Sequence, residues 1–538
     1  MLSRWILMVG LVMWSASVVA RPNVVWITCE DMSPRLGCYG DTTVPTPNID
    51  RLAQTSLRYT RAFGVYGVCA PNRHTLIMGM YPSSTGAMAM RTWKRTSALS
   101  MITDPELLAI PVYEATPPDE AKCFTEYLRM AGYYCTNNSK TDYQMQTPVT
   151  AWDESSSKAH WRNRPTPDTP FFAVFNNTAT HESKTFKASS PSVVDPDAIS
   201  VPPYYPDTPA VREGLAWHYD NIVTMDRWVG QLMAELEADG LLENTYVFFF
   251  SDHGDGLPRA KRWVYDSGLH VPLLIRAPTG TAGVEGRLVS FVDFAPTVLA
   301  LCGVSVPDHM EGVPFAGDQA ERRKYVFGFR DRMDPAPETI RAVRDERFKY
   351  VRNYRPELPY IGYLPYRDQA PIMQDIKRLM SAGELGSDQW QFWAQRKPLE
   401  ELYDTVADPH EIRNLAADPN YYAKLHEMRT AREAFVESYG DLGLLPESEL
   451  IKHRWPPDGR QPTTPSPSFE LQAEKLHLHC AEAAASIAYR TDNETRWHLY
   501  VEPVVAEGID EVHARAIRYG WKESEIATAN VSVLLDSN

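Results

Sequence analysis

Cysteine is scarce in this chain, 7 among 538 residues. No two of them form a CxxC pair and none sits in a zinc-ligand spacing, which excludes the common structural zinc modules. They are also too few, in a chain of this length, for a disulfide-dense scaffold. Basic charge is short as well. Lys and Arg total 54 against 69 Asp and Glu, a net charge of −15. That balance argues against a nucleic-acid partner, which needs a basic face. It leaves room for an anionic substrate in a local basic pocket. Past residue 20 no apolar run is long enough to span a bilayer, and no internal repeat is present.

What is present begins with MLSRWILMVGLVMWSASVVA, residues 1–20. Arg4, a short apolar run and small residues up to Ala20 read as a secretory signal peptide, with no membrane span after its cleavage. An uncleaved anchor is the rival reading. The remainder is too long for one minimal core. A hydrophobic fraction of 43% and a charged fraction of 23% are ordinary for a globular protein. The 14 Trp and 27 Tyr suit packed interiors and sugar-binding clefts alike.

NVVWITC (residues 23–29), PFFAVFN (170–176) and TYVFFFS (245–251) are β-branched and aromatic runs fit for buried parallel strands. Each ends in polar residues: Glu30-Asp31, His181-Glu182 and Asp252-His253. VREGLAWHYDNIVTMDRWVGQLMAELEADG is an amphipathic helix that stops at Gly240. PTPNIDRLAQTSLRYTRAF is expected to be helical, entered through Pro47. The fold class is therefore α/β, a large, mostly parallel sheet with helices on both faces, with ligands expected at the carboxyl ends of the strands. After about Glu321 the texture changes to short strands, such as YVFGFRD and IRAVRDERFKYVRNY, of a smaller antiparallel sheet. The expected division is 1–20 signal peptide, 21–320 catalytic α/β domain and 321–538 C-terminal subdomain. In the last of these QPTTPSPS reads as a linker and Phe469 to about Arg490 as helical.

GVCAPNRHTLIMGMYP carries the most chemistry. Cys69 could simply be a buried thiol. Pro71, however, suits the first turn of a helix, which puts Cys69 just ahead of an N-terminus whose N–H groups favour anions. Arg73 at i+4 would lie beside it, and its fork suits a tetrahedral oxyanion. Glu30, Asp31 and Asp252 are hard oxygen donors suited to Ca2+ or Mg2+, although any one alone reads as a turn or cap residue.

Cys69-Ala-Pro71-Asn-Arg73 resembles the C-x-P-x-R signature of the formylglycine-dependent sulfatases, of alkaline-phosphatase-like fold. The resemblance extends over nearly the whole mature chain, through the strand-end acidic pair, SDHGD, YDSGLHVPLLIRAP and EELYDTVADPHEIRNLA. It is nearest to the bacterial sulfamidase-like, or heparan N-sulfatase-like, branch. It implies that a maturation enzyme oxidises Cys69 to formylglycine, whose hydrated aldehyde attacks sulfur. It further implies that Glu30, Asp31, residue 69, Asp252 and His253 surround one divalent cation, usually calcium. Lys140 resembles the lysine of the family's G-K-x-H loop, with Asp142 where the second histidine stands. His181 and Lys261 match residues that protonate the leaving group; Arg262 is the alternative to Lys261.

The implied substrate is a sulfated saccharide, cleaved at an O-sulfate or N-sulfate by an exported, periplasmic or secreted bacterial enzyme. In AMAMRTWKR, Ala87 to Met90 replace histidines of many relatives, and Arg91, Lys94 and Arg95 remain as candidate contacts to an anionic sugar. His160, Arg330 and Arg332 lie in segments resembling the cleft border. Asp293 reads as a helix cap. The sequons at Asn137 and Asn176 fall next to proposed site loops, where a glycan would crowd the cleft. Two rivals remain at this point. One is a phosphatase, phosphodiesterase or phosphonate hydrolase of the same superfold. The other is an inactive sulfated-glycan-binding homologue, for which Asn72, Glu30 and residues 87–90 leave room.

Overall fold

The computed structural model describes residues 21–93, 102–188 and 192–536. The signal segment and the candidate contacts Lys94 and Arg95 lie outside the described residues. Strands β1 (Asn23–Cys29), β2 (Leu57–Phe63), β3 (Tyr134–Asn138), β4 (Glu154–Ser155), β5 (Phe171–Asn177), β6 (Thr245–Ser251), β7 (His270–Arg276), β8 (Gly283–Glu285) and β9 (Val289–Ser290) form one sheet. Its order is β4-β3-β5-β1-β6-β7-β2-β8, with β9 beside β2. The pairs from β4 to β6 are parallel, and β7 runs antiparallel to both its neighbours. The sheet is mixed and mostly parallel, as the sequence pattern implies.

Every residue of β1 is buried because the strand is central and covered on both faces. Its period-two alternation divides the core. Val25 and Ile27 pack on one side with Ile222 and Val229 of the long helix α3 (Pro209–Ala238). Val24 and Trp26 pack on the other with Phe294 and Val298 of α4 (Phe294–Leu301). Trp26 is the hub of that second layer, meeting Phe172 and Phe250 edge-on at 5.1 and 5.4 Å. Thr208 caps α3 by accepting from the Val211 N–H at 3.3 Å, and Pro209 opens it.

Register aligns the chemistry. Cys29 stands opposite Asn177 of β5 and opposite Ser251 of β6. The carboxyl ends of three neighbouring strands therefore stop at one level, and the residues after them share one edge.

Two sequence expectations are corrected. The segment entered at Pro47 is helical only as α1 (Pro47–Gln54); residues 57–63 form β2. LRYTRAF is rich in β-branched and aromatic residues, and Ala62 and Phe63 pair with Val271 and His270 of β7. The tail is likewise not helical. Ser468–Gln472, Lys475–His479 and Ser486–Thr491 are strands. In KLHLH the buried positions Leu476 and Leu478 alternate with more exposed ones, the period of a half-buried strand.

The second sheet is antiparallel, β10 (Val326–Arg330), β11 (Ile340–Arg344), β12 (Phe348–Asn353) and β13 (Glu400–Asp404) in sequence order. It reaches back to the first sheet through Phe329, whose N–H donates to Val65 O at 2.8 Å. The strand-rich tail docks on the N-terminal part through buried Glu126, which accepts from Ser486 Oγ at 2.7 Å and Tyr519 OH at 2.8 Å. Asp293 is a cap, in a capping box with Ser290, and also pairs with Arg323. Among the described residues no helix is long and apolar enough to cross a membrane. All 7 cysteines are free thiols.

Glu311 gives a pH-dependent term to this stability. It lies against the C-terminal end of the helix that carries Cys69, with its N–H on Gly79 O at 2.9 Å and Oε2 on Tyr81 N at 2.6 Å. Burial lifts its carboxyl from 4.5 to about 7. A raised acid binds its proton more tightly when folded, so its ionisation costs stability as pH rises through the window from 4.5 to about 7. Glu311→Gln keeps the acceptor for Tyr81. It is expected to match the parent near pH 4.5 and to be more stable by about 2–3 kcal/mol at pH 8. Denaturant midpoints at the two pH values check this.

Candidate active site

Helix α2 (Cys69–Met78) starts at Cys69 itself, with Val68 as its extended N-cap. Cys69 is thus the first helical residue rather than the one ahead of it, and it is 1% exposed. The preceding loop is pressed flat. A Cβ on Gly67 would lie 2.5 Å from Trp263 O, so only glycine fits there. Asn72 holds that loop from below. Its Oδ1 accepts from the N–H groups of Val65 and Tyr66 at 2.9 Å each, and its Nδ2 donates to Asp252 O at 2.7 Å.

One turn into α2, Arg73 is buried among carboxylates, with Nη2 3.0 Å from Asp252 Oδ2. Nε donates to Asp252 Oδ2 at 3.2 Å, Nη1 to Asn176 Oδ1 at 2.7 Å, and Nη2 lies 3.8 Å from Glu30 Oε1. The same Glu30 oxygen is 2.7 Å from Lys140 Nζ. Lys261 Nζ lies 2.5 Å from Asp31 Oδ2 and 3.1 Å from Glu182 Oε2. Arg262 meets Glu182 at 2.9 Å. His253 Nε2 is 3.0 Å from Asp31 Oδ1, and His181 Nε2 is 3.8 Å from Glu30 Oε2. Ligand-type atoms of Glu30, Asp31, Cys69 and His181 fall within 4.8 Å of one another, as do those of Cys69, Asp252 and His253.

Charge explains the titration behaviour. Burial works against the Asp31 carboxylate, yet Lys261, His253 and His181 hold it well below the usual range. Burial also opposes ionisation of Glu182, and Arg262 and Lys261 again prevail. Burial disfavours the His253 imidazolium, but Asp252 and Asp31 lift it to about 10. His181 moves the other way, lowered by burial and then by Lys261. The Ser183 N–H donates to His181 Nδ1 at 3.3 Å, so the neutral ring carries its proton on Nε2, the nitrogen on the Glu30 side.

The donor set fits a hard divalent cation. Asp31 Oδ1 and His253 Nε2 are buried and make no hydrogen bond. Glu30 and Asp31 group with Cys69 and His181, and Asp252 and His253 group with the same Cys69, an oxygen-rich set suited to Ca2+ or Mg2+. The charges agree. Glu30, Asp31, Asp252 and Glu182 are balanced by Arg73, Lys140, Lys261 and Arg262. A divalent cation on His253 Nε2 would displace the proton that Asp252 and Asp31 favour there, and leave the cluster positive, ready for an anion.

The outer residues divide. Arg91 Nη2 is 3.7 Å from Asp142 Oδ2, and both line a 700 Å³ cavity shared with Trp93, Lys140 and Gln146. Arg91 and Asp142 hold φ of 53° and 56°, and Asp31 and Arg262 hold 52° and 74°. Left-handed backbone in non-glycine residues thus gathers around the cleft. Arg330 is buried on the Trp263 ring. Arg332 is taken up by Glu447 at 2.5 Å. His160 makes its contacts elsewhere, stacking near Trp161 and lying 3.5 Å from Glu235 of α3. Of the two sequons, Asn137 is buried and Asn176 is half-buried, its Nδ2 donating to Asn137 Oδ1 at 3.0 Å. Sequence reasoning missed the roles of Glu182, Asn72 and Asn176. Only the adjacency of Glu182 to His181 at a strand end pointed to it.

The sequence model of the Sulfatase family matches residues 22–304. The chain belongs to the sulfatase family. A second model, for the C-terminal part of N-sulphoglucosamine sulphohydrolase, matches residues 258–360. This sulfatase is 40% identical over 558 aligned positions to an ulvan-active sulfatase of Formosa agariphila, covering 96% of this chain and 92% of that one. It is 25% identical to human N-sulphoglucosamine sulphohydrolase, covering 76% and 88% of the two chains. The alkaline-phosphatase-like architecture recurs in a phosphonate monoester hydrolase from Silicibacter pomeroyi. That structure has a TM-score of 0.56 and 17% identity, and the match covers 79% of this chain and 96% of that one. The chain is accordingly a sulfuric ester hydrolase of the type I class.

Proposed function

We propose that this chain is an exported bacterial sulfatase that releases sulfate from a sulfated polysaccharide, matured at Cys69 to formylglycine and loaded with Ca2+ or Mg2+. The observation that carries the reading is the convergence on one N-terminal helical residue, Cys69, of Arg73, Lys140, Lys261 and three strand-end carboxylates. The relative acting on ulvan favours an algal sulfated polysaccharide over a sulfamate.

The hydrated aldehyde would supply the oxygen nucleophile toward sulfur, and a second hydroxyl whose deprotonation expels sulfate. Glu30, Asp31, Asp252 and His253 would hold the cation, which withdraws charge from the sulfate oxygens. Arg73 and Lys140 flank the same point and neutralise the sulfuryl group as it transfers. Asn72 fixes the backbone in front of residue 69 so that attack is in line. His181 presents its Nε2 proton to the leaving oxygen, with the transfer made from its imidazolium form. Lys261 is held as an ammonium by Asp31 and Glu182 and is the poorer acid near neutrality.

Sulfate released from ulvan oligosaccharides, with parallel assays on 4-nitrophenyl sulfate and 4-nitrophenyl phosphate, tests the reading. Faster release of phosphate than of sulfate would overturn it. His181→Ala is expected to lower kcat on the saccharide by about 10²–10⁴-fold. The loss on 4-nitrophenyl sulfate is expected to be far smaller, since nitrophenolate leaves without a proton. Equal losses on both would move the acid role to Lys261.

A further inference from the structure

Arg330 ends β10 and is 5% exposed, yet its guanidinium has no counter-ion. Nε and Nη1 are buried without a hydrogen-bond partner, and among the described residues no carboxylate pairs with the group. It rests with Cζ 3.7 Å above the Trp263 ring. A cation–π contact of that kind offsets only part of the desolvation of a buried charge. The surrounding carboxylates are engaged elsewhere. Glu338 pairs with Lys397 at 2.8 Å, and Asp331 with Arg341 at 3.0 Å. Arg332, two residues on, has Glu447. Burial, then Arg367 and Arg262, outweigh Glu338 and bring the Arg330 guanidinium down to about 10. Arg262 contributes a second orphan, its buried Nε.

Arg262 keeps Glu182 as its partner through Nη2, and the backbones that carry Arg262 and Arg330 run beside the loop ahead of Cys69. The Arg262 N–H donates to Gly67 O at 2.5 Å, two residues before Cys69. Phe329, adjacent to Arg330, bridges to Tyr66. The other cations around Cys69, namely Arg73, Lys140 and Lys261, each have a carboxylate partner.

We infer that Arg330, together with the Nε of Arg262, is the receptor for a second anionic substituent of the saccharide, a carboxylate or a second sulfate, distinct from the sulfate that is cleaved. The inference rests on the sulfatase reading and makes the substrate a polyanionic sugar rather than a monosulfated neutral one. A guanidinium donating to a carboxylate or sulfate forms a charge-assisted hydrogen bond, and in a buried pocket its loss is costly.

The test pairs a change in the substrate with a change in the protein. Sulfated oligosaccharides containing uronate are assayed intact and after reduction of the carboxyl to an alcohol; a disulfated and a monosulfated saccharide form the second pair. For the parent, kcat/KM is expected to favour one more anionic member by roughly tenfold to a hundredfold, and the pair that shows it identifies the substituent. In Arg330→Met that preference is expected to fall to about one, and Arg330→Lys should retain part of it. A parent with no preference in either pair overturns the inference. So does a variant that loses equally on both members, which is the signature of a packing role. Calorimetric binding of a non-sulfated uronate oligosaccharide and its reduced form to the parent and to Arg330→Lys needs no turnover. Selective binding of the acidic form, weakened in the variant, supports the inference even if no sulfate is released, and only the sulfatase reading then fails. Equal binding of the two forms by the parent removes the carboxylate, and the inference then stands or falls with the disulfated and monosulfated pair.

Discussion

Cys69→Ala is expected to abolish sulfate release, by at least about 10⁴-fold in kcat, because removing a nucleophile leaves only the binding and charge contributions of its neighbours. The fold should survive. Residue 69 is already small and buried, and its neighbours are held by Asn72 and by the Gly67–Trp263 contact rather than by the thiol. Intact thermal unfolding together with lost turnover is therefore the expected pair of results. Peptide mass adds an independent reading. In the active parent the Cys69 peptide should be lighter than the thiol form by the exchange of sulfur for oxygen and the loss of two hydrogens. A fully active preparation carrying only thiol at position 69 would falsify the proposed chemistry. Arg73→Ala makes the complementary case. It leaves Asp252 and Glu30 facing each other with less compensation, so both activity and stability should fall.

Removal of divalent cations is the second large effect. Chelation should silence the enzyme, and Ca2+ or Mg2+ should restore it. Stability should move in parallel. The folded chain gathers carboxylates that the unfolded chain disperses, so a cation binds the native state and adds about 2.7 kcal/mol at a hundredfold excess over Kd. The readout is a Tm that rises with added cation in the parent. In Asp252→Asn, which leaves Arg73 in place but removes one of the three carboxylates facing Cys69, the response should shrink. A Tm and activity indifferent to both chelator and cation would remove the metal from the mechanism.

How much of this was legible beforehand follows from the range over which each residue acts. The strand ends were readable because a buried parallel strand is a continuous apolar run, and its end is marked by the first residues that cannot be apolar. Glu30-Asp31 and Asp252-His253 announce themselves in that way. The helix start was local too, read from Pro71 as lying just after Cys69 and found at Cys69 itself. What sequence could not separate was Arg330 from Arg332. They look alike in FRDRMD, yet one finds Glu447, 115 positions away, and the other finds none. The same holds for Glu182, whose role exists only because Lys261 and Arg262 arrive from a distant turn. The tail misled for a different reason. KLHLH does alternate with a period of two, but the run is only five residues long, and pairing with adjacent strands decides for β.

Asn72 has a consequence for how this protein can change. One amide joins the loop ahead of Cys69 to the turn bearing Asp252, 180 positions away in the chain. The proposed nucleophile position and a carboxylate of the proposed cation site are therefore mounted on a single bracket. A shift in one is transmitted to the other, so selection cannot adjust the nucleophile's aim without also disturbing its electrostatic support. Divergence toward new sugars would thereby be steered away from the bracket, to the cavity lined by Arg91 and Asp142, where a substitution leaves the bracket as it was.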